Sequence, residues 1–128
     1  MPGSKIKILI VEDEDSLLNL YEVKLIKEGF EVITCTNGED GIAQAIEHKP
    51  DLILLDILMP KVDGYGMLKE IKNLPDTKKI PVIIFSNLSQ KEEIEKGFKL
   101  GAEDYIVKTS VTPEELASKV KEFLKKHK

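Results

Sequence analysis

The chain has 128 residues, a net charge of −4 and no apolar run near the length needed to span a bilayer. A chain of this size can bury about two-thirds of its unfolded surface, enough for one compact domain without a disulfide or metal staple. All 19 basic residues are lysine, so the arginine that most often reads guanine edges is missing and direct nucleic-acid recognition is not expected.

The elements read off in chain order. The N-terminus, "MPGSKIKILIVEDED", turns acidic too soon for a secretory signal. Within it "KIKILIV" (5–11) is a strand. "DSLLNLYEVKLIKEG" follows as a helix, with Leu18, Tyr21 and Leu25 on one face and Gly29 as its stop. Asp13 or Asp15 is expected to cap it. "FEVITC" (30–35) is a mixed strand suited to a sheet edge, and it contains the lone Cys35. A lone cysteine cannot form an internal disulfide, so a cytoplasmic location is expected.

"NGEDGIAQAIEHKP" starts at an Asn cap and ends before Pro50. "DLILLD" (51–56) is a strand apolar on both faces, as is "IPVIIFS" (80–86). Between them "DGYGMLKEIKNLP" places Met67, Leu68 and Ile71 together and stops before Pro75. "SQKEEIEKGFKLG" opens with Ser89 and Glu92 spaced as a capping box. "DYIVK" (104–108) is the last strand, and "TPEELASKVKEFLKK" the last helix, with Thr112 and Glu115 as its box and Pro113 at its first position. The basic end of that helix suits its C-terminal dipole.

Five strands alternating with five helices indicate an α/β domain with a parallel sheet. Among the topologies that right-handed crossovers leave, the flavodoxin-like order 2-1-3-4-5 is expected. In such a sheet the C-terminal strand ends share one edge, where ligands bind. The first strand ends in Glu12 and Asp13, the third in Asp56, the fourth in Ser86 and the fifth in Lys108. Each has a plain structural alternative: a cap, a turn hydroxyl, a solvated lysine. Together they do not reduce to that, because three crowded carboxylates repel unless a cation intervenes. Mg²⁺ takes such hard oxygen ligands. A carboxylate nucleophile, a divalent ion, an ammonium and a hydroxyl make a phosphoryl-transfer site, and a carboxylate carries no proton that a base must remove.

Four motifs, "VEDED", "LLDILMPKVDG", "IIFSN" and "YIVK", stand in this order at strand ends. From Lys5 to about Lys125 the chain resembles the receiver domains of two-component response regulators. The resemblance implies that Asp56 is the phosphoacceptor. It implies that Glu12 and Asp13 bind Mg²⁺ with Asp56 and the backbone carbonyl of Leu58. Ser86 is then the hydroxyl that follows the phosphoryl group, Lys108 the lysine that pairs with it, and Tyr105 the aromatic that swings inward with the hydroxyl. Pro60, Asp63 and Gly64 match the loop after the phosphoacceptor, and Asp63 also suits a helix cap.

What the resemblance implies as a whole is a cytoplasmic signalling protein, not an enzyme, acting as a single domain over residues 1–128. It would take its phosphoryl group from a histidine kinase or histidine phosphotransfer protein. A downstream protein target would read the face of the fourth helix, fifth strand and fifth helix. Leu58 and Leu88, apolar at the positions that flank the attacking water, imply slow hydrolysis of the phosphoaspartate. Three positions depart from the family pattern: Glu12 where Asp is commoner, Asn87 where a small residue is usual, and Thr109 where a proline in a cis peptide is usual.

Three other readings compete. One is a receiver-fold interaction module that is not phosphorylated, which Mg²⁺ affinity would discriminate. Another is a phosphohydrolase of the haloacid-dehalogenase type, which needs a second Asp where Leu58 stands. The third, nucleotide binding, lacks a glycine-rich phosphate loop.

Overall fold

The apolar runs pair edge to edge. In the computed structural model, which describes residues 5–59 and 62–127, they form β1 (Lys7–Val11), β2 (Glu31–Cys35), β3 (Leu52–Leu55), β4 (Val82–Ser86) and β5 (Asp104–Val107). All pairings are parallel and the order is β2-β1-β3-β4-β5, as expected. Every residue of β3 and β4 is buried, whereas β2 and β5, at the two edges, are mixed.

Strand periodicity then splits the core in two. Ile8, Ile10, Leu52, Leu54, Ile83 and Phe85 face one way, against α1 (Asp15–Lys27) and α5 (Pro113–Lys126). Leu9, Val11, Ile53, Leu55, Val82 and Ile84 face the other way. There they meet α2 (Gly38–His48) and α3 (Gly64–Asn73), with Met67, Leu68 and Ile71 wholly buried. Each fully buried side chain of this kind contributes roughly 1.5–3 kcal/mol. On the same side α4 (Lys91–Lys99) is held much more lightly, burying only Gly97 of its own residues. A Cβ on Gly97 would stand 2.4 Å from the Ile84 side chain, so glycine sets how near α4 comes to the sheet.

Three caps form as the sequence predicts. Asn37 accepts from the Asp40 N–H, Asp63 accepts from the Gly66 N–H, and Thr112 with Glu115 closes a full capping box. Two expectations are corrected. Neither Asp13 nor Asp15 caps α1; Glu14 holds that position without a side-chain bond, and its own N–H donates to the Glu12 carboxylate. Ser89 does not cap α4. Gln90 is still extended and takes the cap position, so the helix starts at Lys91 and Glu92 lies too early for the box.

Candidate functional site

The ends of β1, β3, β4 and β5 bring the predicted polar residues to one edge. Glu12 and Asp13 follow β1 directly, and Asp56 follows β3. Their backbones extend the ladders: the Glu12 N–H donates to the Cys35 carbonyl and the Asp56 N–H to that of Val11, each at 3.0 Å. That pairing fixes the depth at which the side chains emerge. Glu12 and Asp56 are buried, at 3% and 6% exposure, while Asp13 opens to solvent. One oxygen from each of the three lies within 4.8 Å of the others.

Behind Asp56 the floor is set by a glycine. The Gly64 N–H donates to the Ile57 carbonyl at 2.9 Å, and a Cβ on Gly64 would sit 2.2 Å from the Asp56 carbonyl oxygen. Only a residue without a side chain lets α3 start this close to the Asp56–Ile57 backbone. Asp63, one residue earlier, caps the same helix end.

Lys108 enters from the end of β5, opens a short 3-10 turn (Lys108–Ser110), and is buried at 8% exposure. Its ammonium donates to the Glu12 carboxylate and, at 2.9 Å, to Asp56 Oδ2. The other Asp56 oxygen, Oδ1, accepts the Ile57 N–H at 2.7 Å. Lysine is thus the cation that lets the acids crowd. Burial pushes the Glu12 carboxyl above its ordinary value, and the Lys108 contact opposes this without cancelling it. Burial alone would lower the Lys108 ammonium, but Glu12 and Asp56 together hold it above the ordinary lysine value. Among the described residues no peptide bond is cis, so Lys108–Thr109 is trans.

Ser86 is fully buried at the end of β4, and its Oγ accepts the Leu88 N–H at 3.2 Å. The Tyr105 hydroxyl donates to the Leu88 carbonyl, so the serine loop and the half-buried tyrosine are tied together. Burial raises the Tyr105 phenol, and the Ser86 hydroxyl partly offsets that rise. Leu58 is 58% exposed and lines a groove of about 460 Å³ beside the acids, with Asp13, Met59, Tyr65, Leu88 and Lys96. Pro60 lies outside the described residues.

One cluster was not foreseen. Tyr65, on the first turn of α3, donates to the Glu93 carboxylate at 2.6 Å, and Lys96 lies 4.3 Å from the centre of its ring. This ties the lightly packed α4 to α3 across the groove. No motif signals it, because three side chains on two helices meet only once the helices are placed.

The arrangement has the chemistry of an acidic phosphoryl or metal site: three hard oxygen donors that could hold a divalent cation, with a buried ammonium and hydroxyl on the flank. A family model described as "Response regulator receiver domain" matches residues 8–121. The chain is 36% identical over 126 residues to "Probable transcriptional regulator ycf27" of Pyropia yezoensis, covering 98% of this chain and 50% of that protein. It therefore spans about half the length of the curated relatives it matches. Among solved structures, a CheY-like response regulator receiver domain protein from Methanospirillum hungatei superposes with a TM-score of 0.88 at 29% identity, covering 96% of each chain. The BeF3-activated N-terminal receiver domain of Klebsiella pneumoniae RstA gives 0.84 at 28% identity, over 92% of this chain and 97% of that one.

Proposed function

The chain belongs to the response regulator receiver domain family, the phosphoacceptor signalling domains of two-component systems, and on that premise we propose that Asp56 takes the phosphoryl group. It is a signalling protein, not a classical enzyme. The observation that carries the proposal is the buried Asp56 carboxylate, held between Lys108 and the Ile57 N–H and within reach of Glu12 and Asp13.

The donor is a phosphohistidine on a histidine kinase or histidine phosphotransfer protein. An Asp56 oxygen attacks phosphorus, the O–P bond forms, the P–N bond breaks, and its electron pair stays on the departing imidazole nitrogen. Lys108 turns part of its charge to a phosphoryl oxygen, and the Ser86 hydroxyl donates to another. Glu12, Asp13 and Asp56, with the Leu58 carbonyl, would hold Mg²⁺, which when bound neutralises charge on the transferred group. The donor set fits such an ion, since all three carboxylates offer hard oxygens.

The phosphoryl group brings charge and strong acceptor oxygens. Ser86 turns toward them and gives up the Leu88 N–H, and Leu88 is also the residue that holds Tyr105. The movement therefore reaches β5 and the lightly held α4. A downstream protein target reads the α4–β5–α5 face, provided that it binds the two states unequally. Residues 1–128 act as one receiver domain, in the cytosol. The reading of the compartment rests on Cys35 being the lone cysteine, which leaves no internal disulfide to form. Among the described residues no helix is long and apolar enough to cross a membrane.

Leu58 and Leu88 offer no polar side chain to orient a water, so the phosphoaspartate should hydrolyse slowly; rapid loss of label without a phosphatase would contradict this. Beryllofluoride with Mg²⁺, followed by amide NMR, tests the proposal. Shifts should centre on Ser86, Tyr105 and Lys108. No shifts, or the same shifts in Asp56→Asn, would overturn it.

A further inference from the structure

Ser86 and Lys108 are each followed by an exposed residue, and those two residues meet. The Thr109 N–H donates to Asn87 Oδ1 at 3.1 Å. The last paired residues of β4 and β5 are Ser86 and Val107. The bond therefore stands just past the end of the ladder, with an asparagine side chain supplying an acceptor where the β4 backbone no longer does. It spans two loops whose preceding residues are both buried at the acidic edge.

Resting on the phosphoryl-acceptor reading above, we propose that Asn87 is a positioning residue: its bond to the Thr109 N–H couples the serine loop to the lysine loop and keeps Lys108 aimed at Asp56. The two residues form a matched pair. A proline at 109 has no N–H to give, so an acceptor at 87 would be idle beside it. Thr109 supplies the donor and Asn87 the acceptor, and each makes sense of the other. Because Asn87 directly follows Ser86, any inward turn of the serine is transmitted through this bond to the residue next to Lys108. Lys108 itself is held at its far end by Glu12 and Asp56, so backbone and head group are fixed from opposite sides.

Both residues are exposed, so substituting them leaves the core intact. The test compares Asn87→Ala, Thr109→Pro, Thr109→Ala and the double variant Asn87→Ala with Thr109→Pro. Two readouts are used: exchange of the Thr109 amide, and beryllofluoride affinity at saturating Mg²⁺. A single net hydrogen bond corresponds to about a three- to tenfold effect. Asn87→Ala should speed Thr109 exchange and weaken beryllofluoride binding by that factor. Thr109→Pro removes the same donor and also restrains the Lys108 backbone, so it should weaken binding at least as much, and Thr109→Ala, which keeps the N–H, should not weaken it. The double variant should be no worse than Thr109→Pro alone, since the bond is already gone there.

Unchanged exchange in Asn87→Ala overturns the proposal whatever the ligand does. Equal or tighter beryllofluoride binding in Asn87→Ala, or additive losses in the double variant, overturns it while the phosphoacceptor reading stands. If the unaltered chain fails to bind beryllofluoride, that reading falls and the proposal falls with it.

Discussion

A single glutamate carries the site's pH behaviour. Glu12 is raised by burial, so the folded chain keeps a proton that the unfolded chain has released just above the ordinary glutamate value. In that window stability falls as pH rises, and the cost persists at neutral pH. Lys108 gives the same slope in a higher window: its raised value gives stability that is present below the ordinary lysine value and lost as pH climbs through the folded one. Because a metal ligand must be deprotonated, Mg²⁺ affinity should begin to fall at a higher pH than an ordinary carboxylate would set. Calorimetric Mg²⁺ titrations over a pH series check this; an affinity that stays flat down to the ordinary glutamate range would contradict it. The identities of Glu12, Asp56 and Lys108 were legible in the sequence because each ends a strand. Their pairing was not, because it depends on how far a lysine side chain reaches after the sheet has formed.

At the scale of elements, the five strands and five helices follow from pattern and stop signals, and local signals fail only at the starts of α1 and α4. Ser89 and Glu92 have the spacing of a capping box, yet α4 starts later, since Gln90 stays extended after a loop that Ser86 and Tyr105 already hold. Asp13 and Asp15 do not cap α1, because the helix begins at Asp15 and leaves Glu14 in the cap position. Where backbone packs on backbone the tolerance is least. Gly64→Ala places a methyl group against the Asp56 carbonyl, with no flexible side chain to yield. We expect it to cost about 1–3 kcal/mol, in the usual range for overpacking, and to shift the acceptor loop. Urea unfolding and the Asp56 amide shift measure both; a wild-type midpoint with an unmoved Asp56 amide would show that the close approach is not needed.

For the whole molecule, the alternating strands and helices fixed one sheet edge as the place to look, and the parallel order put five predicted residues there. What the chain alone did not show is that Leu88 links Ser86 to Tyr105. Those two bonds join the acidic edge to β5, beside α4, the helix with the fewest buried residues, and they are the route proposed for the switch. That route has meaning only if the acceptor is used. The direct measurement is intact-mass analysis after incubation with acetyl phosphate and Mg²⁺, on the unaltered chain and on Asp56→Asn. The account predicts one added phosphoryl group on the unaltered chain and none on the variant. No added group on the unaltered chain, or one that persists in Asp56→Asn, would contradict it.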